Sequence, residues 1–318
     1  MMNKIKIKLT VLLALTLAII SCKQKANANQ SEEKNKSIAD SELEKKEENK
    51  KGTPDLGPNF NPVRAEIAYY SYIGDTQDNS RIFISNLDGS QVRDVSALDS
   101  LGFHTEPKWS RDGKKIGYTN FVDDGARIMA IDADGKNLQK LAKVSEDGFH
   151  MFTSWDLSGD GYFFFHWPKE GFTPDVYHAK NGSIERLTEN GRTNGPQMTS
   201  EGKLYINRID DLEKYVITKQ LFDLKTKSTV DVPELEGHFI TGIHALKTVD
   251  TQDSTTFILE NLEGNDLKEL GSVPYKGIMF TVLDKDLKYV AYNTSFEDGA
   301  EIHLLEISTG KIIKLTEN

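Results

Sequence analysis

The stretch GFHTEPKWSRDGKKIGY, Gly102 to Tyr118, decides the fold. It reads as a short strand ending at Trp109, a tight turn at Arg111-Asp112-Gly113, and a second strand carrying Ile116 and Tyr118. Gly in such a turn supplies a positive φ, and Asp accepts hydrogen bonds from nearby backbone N–H groups. The same grammar returns as GFHMFTSWDLSGDGYFFF, Gly148 to Phe165. Both copies begin Gly-Phe-His and place Trp five residues after the His, His104 to Trp109 and His150 to Trp155.

Working outward, the strand RIFIS ends in the turn Asn86-Leu87-Asp88-Gly89, RIMAI in Asp132-Ala133-Asp134-Gly135, and DVYHA in Lys180-Asn181-Gly182. A weaker strand follows each turn: QVRDVSA, NLQKLAK and SIERLTE. Each unit therefore holds four short strands joined by hairpins, and four strands every ~45 residues is the signature of a propeller blade. No window sustains a capped helical period. The expectation is an all-β fold over residues 59–318, a β-propeller of six blades with four antiparallel strands each. The first unit lacks an obvious inner strand, for which Asn61–Arg64 is the candidate, and the fifth is short and degenerate. How the ring closes stays open.

The quoted pieces PKWSRDGKKIGY with RIMAIDADGKNLQKL, and SWDLSGDGYFFF with DVYHAKNGSIERLT, resemble the propeller repeats of the TolB-like family. The same repeat builds the non-catalytic propeller of prolyl oligopeptidase-type peptidases. The resemblance covers most of the chain and implies a six-bladed propeller. It implies little about function, because the family mostly binds other molecules and hosts several activities. Trp109 and Trp155 are expected to fill the space between neighbouring blades. Asp112-Gly113 and Asp160-Gly161 read as turns. So does Asp132-Ala133-Asp134-Gly135, because a calcium loop needs its Gly at position 6 and its Glu at 12.

His104 and His150 occupy the same place in consecutive units, where the innermost strand begins and loops converge on one mouth of the central channel. His238 opens the fifth unit; Arg192 or Asn194 stands there in the fourth, and Tyr275 or Lys276 in the sixth. A ring of His104, His150, Arg192 and His238 would suit a metal, a carboxylate or an acidic sugar. The alternative is that Gly-Phe-His is only the loop's structural habit. The loop WPKEGFTP, Trp167 to Pro174, offers a rigid aromatic ledge as a ligand contact. His166, His178 and His303 lie inside strand runs and read as structural, and His244 is ambiguous.

There is no Gly-x-Ser-x-Gly elbow, no phosphate-cradling glycine loop and no His-Glu-x-x-His helix. One enzymatic group with TolB-like repeats, the oligogalacturonate lyases, uses axial histidines with Gln to hold a divalent cation. That resemblance makes His104 and His150 candidate metal ligands and a cation-dependent carbohydrate-active enzyme the alternative function. The leading expectation is a non-enzymatic module that binds a protein, peptide or glycan through its channel mouth and top loops, with no cofactor.

The chain opens with Lys4, Lys6 and Lys8, then an apolar run, Leu9–Ile20, too short to span a bilayer comfortably. It ends Ile19-Ile20-Ser21-Cys22, which resembles the lipobox of bacterial lipoproteins. The resemblance implies a signal peptide over residues 1–21 and lipidation of Cys22. In bacterial lipoproteins Asp after the lipidated Cys is linked to inner-membrane retention; Lys23 stands there, so the resemblance implies the outer membrane, on its periplasmic or surface face. Residues 22–58 are rich in Lys, Glu, Asn and Ser and read as a disordered tether. With Cys22 the single cysteine, no disulfide forms within one chain, so the core alone must hold the fold. Net charge is −10, which excludes a basic nucleic-acid footprint. The membrane contact is then the lipid, and a monomer is expected.

Overall fold

The computed structural model describes residues 53–74, 79–141, 144–145, 148–214, 216–237, 239–296 and 298–317. Cys22, the N-terminal run, residues 22–52 of the tether and His238 lie outside the described residues. What is described is an all-β propeller whose strands follow one another as antiparallel meanders.

The first sheet is β1 (Asp55–Phe60), β2 (Glu66–Tyr72), β3 (Ser80–Asn86) and β4 (Arg93–Asp94). The second unit is β5 (Phe103–Trp109), β6 (Lys115–Val122), β7 (Gly125–Asp132) and β8 (Gln139–Lys140). The third is β9 (Gly148–Trp155), β10 (Tyr162–Trp167), β11 (Asp175–Lys180) and β12 (Ser183–Arg186). These two share one eight-stranded sheet, because Gly125 and Ala126 of β7 pair in parallel with Gly148 and Phe149 of β9. The fourth unit is β13 (Thr193–Met198), β14 (Leu204–Asp211), β15 (Val216–Phe222) and β16 (Thr229–Asp231). Then come β17 (Phe239–Thr241), β18 (His244–Asp250), β19 (Thr255–Asn261) and β20 (Asp266–Val273). The last is β21 (Met279–Leu283), β22 (Tyr289–Asn293), β23 (Ile302–Glu306) and β24 (Lys311–Lys314).

The first inner strand differs from the sequence expectation. It is Asp55–Phe60, so the propeller begins before residue 59 and Asn61–Arg64 belongs to the turn that follows. Gly57-Pro58, which reads as the end of a tether, is a β-bulge instead. The register of β1 on β2 slips between Leu56 and Asn59, with Gly57 at φ 63°. The device recurs: β5 slips between Thr105 and Lys108 with Glu106 at φ 50°, and β13 between Asn194 and Gln197 with Gly195 at φ 56°. A Pro follows each left-handed residue (Pro58, Pro107, Pro196), tolerated because a bulge leaves a residue out of the hydrogen-bond ladder.

Packing between units explains the repeated Trp. Trp109 and Trp155 are buried, and each indole Nε1 donates at 3.0 Å to the inner strand of the preceding unit, to the carbonyls of Asn59 and Lys108 respectively. Trp155 also packs on Phe152 and Tyr162 in a cluster completed by Ile128 and Ala130 of β7. Each Trp therefore fills an inter-unit gap and orients the two inner strands that it joins.

The ring closes without exchanging a strand, since β1 lies in the first sheet and β24 in the last. Asp55 donates its backbone N–H to the Ala300 carbonyl at 2.9 Å. The fully buried Asn293 amide accepts from the Gly57 N–H at 3.0 Å and donates to the Asp55 carbonyl. Behind these bonds, Ile67 and Tyr69 of the first unit pack on Val282, Ala291, Ile302 and Leu304 of the last.

Asp156 organises the turn between β9 and β10. Its Oδ1 accepts from the Ser158 hydroxyl at 2.6 Å and from the Gly159 and Gly161 N–H groups, while His178 Nε2 and Lys180 Nζ lie within 3.3 Å of Oδ2. Burial pushes the carboxyl up, but these partners outweigh it and hold the pKa at about 2. A depressed folded pKa gives stability that is complete above about pH 4 and is lost as pH falls through about 2. Urea unfolding across that window is expected to show this loss, and Asp156→Asn, less stable at neutral pH, is expected to flatten the acid slope.

Candidate functional site: the mouth of the propeller

In each meander the first strand starts, the second-to-third hairpin turns, and the fourth strand departs at one end; the first-to-second turn lies at the other. Contacts between units agree. Asp55 at the start of β1 meets Ala300 of the β22–β23 hairpin, and Thr193 at the start of β13 donates to Pro174 of the β10–β11 hairpin. At the opposite end, Asn61 donates to Gly113 and Arg111 to Thr199, first-to-second turns touching their counterparts. The end where inner strands begin is called the mouth below.

The Gly-Phe-His repeat sits there, and its three residues have separate jobs. Gly102 has φ 105°, and a Cβ on it would lie 2.5 Å from the Phe121 carbonyl. Gly148 has φ 100°, and its Cβ would lie 2.5 Å from the Trp167 carbonyl. Only Gly lets the chain enter its inner strand so close to the second one. Phe103 joins a row of rings that runs from Phe280 through Tyr70, Phe103 and Phe121 to Phe149, with successive centroids 6.0–6.5 Å apart. That row links the sixth, first, second and third units.

The two histidines face their own units. His104 is fully buried, its Nε2 lies 3.2 Å from Asp99 Oδ2, and its ring meets Tyr118 edge-on. His150 is buried against His166, ring centroids 4.5 Å apart, and its Nε2 accepts from the Val144 N–H. Arg192 is exposed in the connection leading to β13, at the mouth as its spacing suggests. Trp167 is buried under the exposed Phe172, so the ledge of that loop is Phe172. Among the described residues, no three metal-ligating side chains gather. His178 lies beside Asp156 and His303 beside Glu301, both within the framework.

Asp99 lies in the connection from the first unit to the second and pins it. Its Oδ2 accepts from the Tyr118 hydroxyl and from Asn120 Nδ2, both at 2.9 Å. Burial raises this carboxyl, yet the His104, Tyr118 and Asn120 contacts outweigh it and leave the pKa below the usual carboxylate range. On either side Leu98 and Leu101 point outward, 62% and 75% exposed. Asp99→Ala strips a partner from three buried polar groups, His104 Nε2, the Tyr118 hydroxyl and Asn120 Nδ2, and is expected to cost about 1–3 kcal/mol. Hydrogen exchange is expected to quicken at residues 98–101 first.

Among the described residues, fourteen large apolar side chains are exposed; six of them stand on the mouth's hairpins and connections, and Val216 and Val249 stand on strands beside those hairpins. The sequence reading found only the Phe172 loop. Leu101 and Phe296 escaped it because one apolar residue among turn formers is ordinary. Their common placement emerges only when the strands are assembled.

No family model matches the sequence, and no curated protein does. Solved structures do. TolB from Acinetobacter baumannii is 17% identical with a TM-score of 0.51, over 67% of this chain and 53% of that one. The tricorn protease is 14% identical with a TM-score of 0.61, over 83% and 26%. An oligogalacturonate lyase in complex with manganese is 10% identical with a TM-score of 0.50, over 82% and 76%. This chain thus spans about half of that TolB and a quarter of the tricorn protease. Likeness at these identities shows the fold, a TolB-like β-propeller that enzymes also carry.

Proposed function

We propose that the chain is a non-enzymatic envelope lipoprotein, anchored at Cys22 to the outer membrane, whose six-bladed propeller binds a ligand at its mouth. The observation that carries this is the larger share of exposed apolar side chains at the mouth, six on its hairpins and connections against four on the turns at the other end. Scattered single apolar residues need no explanation, but a set spread over the hairpins of successive units is how a binding surface is built. The TolB-like fold supports a binding role, and the lipobox-like Ile19–Cys22 supports the envelope location. His104 and His150 support the walls of the mouth.

Site-specific photocrosslinking in the cell envelope tests this. A crosslinker at Leu101, Phe172 or Phe296 is expected to give a discrete adduct, and one at Val63, Leu157 or Ile243, exposed at the other end, is expected to give none. Equal adducts from both ends would refute the reading. Chelator-sensitive cleavage of acidic oligosaccharides by the purified protein would replace it with the enzymatic one.

A further inference from the structure

The two ends of the ring differ in charge as well as in apolar exposure. Among the described residues, the hairpins and connections at the mouth carry eleven acidic and four basic side chains. The first-to-second and third-to-fourth turns at the opposite end carry ten acidic and nine basic side chains. The mouth's carboxylates include Glu170, Glu213 and Asp253, exposed on hairpins of the third, fourth and fifth units. Phe172, Leu212 and Val249 stand exposed on or beside the same hairpins. Apolar tips set among carboxylates make a surface of mixed character, with a net negative charge.

We propose that the occupant of the mouth is a basic polypeptide segment with apolar side chains, which seats those side chains among the hairpin tips while its cations meet the carboxylates. This rests on the binding reading above and adds the chemistry of the partner. An anionic membrane is disfavoured by like charge, and a neutral glycan would leave the carboxylates without complement. A buried apolar contact within a charged rim gives both affinity and orientation. The first described residues, Thr53 and Pro54, enter at this same end, where Pro54 accepts from the Tyr72 N–H. Residues 23–52 could span at most roughly 100 Å, so a lipid at Cys22 would keep the mouth within that distance of the membrane.

The test uses the purified protein and a short peptide of alternating Lys and Leu, with a Glu-for-Lys peptide and anionic phospholipid vesicles as controls. The basic peptide is expected to bind, more weakly as salt rises, and the acidic peptide and the vesicles are expected not to. The triple variant Glu170→Gln, Glu213→Gln, Asp253→Asn is expected to lose about tenfold in affinity. The variant Asp160→Asn, Glu201→Gln, Asp286→Asn removes the same charge from the other end and is expected to change affinity less than about twofold. Phe172→Ser with Phe296→Ser is expected to weaken binding at every salt concentration. Equal losses from both triple variants would overturn the proposal, as would binding of the acidic peptide or the vesicles. Should the peptide fail while mouth crosslinks persist, the partner chemistry falls and the binding reading stands. Loss of the crosslinks refutes that reading itself.

Discussion

Trp155→Ala is expected to destabilise the protein by about 3–5 kcal/mol, a range set by removing a buried indole from a packed core. Trp155 is 8% exposed and touches Phe152 and Tyr162 of its own unit and the Ile128–Ala130 face of the preceding one. Truncation opens a cavity at the junction, where two units rather than one must collapse to fill it. The Lys108 carbonyl also loses its donor. Trp155→Phe keeps much of the volume and loses the hydrogen bond, so about 1–2 kcal/mol is expected from it. Urea unfolding at neutral pH measures both, and equal costs for Ala and Phe would mean that volume is irrelevant there.

Asn293→Ala is expected to cost on the order of 3 kcal/mol, because two buried backbone groups, the Gly57 N–H and the Asp55 carbonyl, lose their partner together. The position matters more than the energy. Asn293 and Gly57 are 236 residues apart, and their bond ties the last unit to the first where no shared strand does so. The variant is therefore expected to open locally at β1 before it unfolds globally, with faster hydrogen exchange at residues 55–60 than elsewhere in the framework. Uniform quickening across all units would show that the first strand is held by the apolar cluster around Ile67 and Val282 instead.

The repeat was legible because its residues act locally. Gly102 and Gly148 are demanded by one close approach, and Trp109 and Trp155 by one inter-unit gap, so spacing alone reveals them. The start of the first strand was hidden because Gly57-Pro58 carries the same signal whether it ends a tether or makes a bulge; the slip against Tyr70 and Ala68 distinguishes them. For His104 and His150 the sequence placed the residues at the mouth, and the ring reading turned both imidazoles towards its axis, whereas His104 meets Asp99 and Tyr118 and His150 meets His166. Direction depends on what the second strand offers: Asn120 and Tyr118 with Asp99 in one unit, and His166 in the next. The mouth's exposed surface was illegible because it is assembled from hairpins spread over more than two hundred residues, each unremarkable alone.

The proposal of a binding mouth is tested most directly by solvent access in the native envelope. Cys22 is the chain's single cysteine, so with its thiol lipidated as proposed, or replaced by Ser in the purified protein, one introduced thiol reports its own surroundings. Phe172→Cys and Leu157→Cys place that thiol at the mouth and at the opposite end. The account predicts that maleimide labels Phe172→Cys about tenfold more slowly in intact envelopes than after purification, with little difference for Leu157→Cys. Equal labelling of Phe172→Cys in both settings would contradict it.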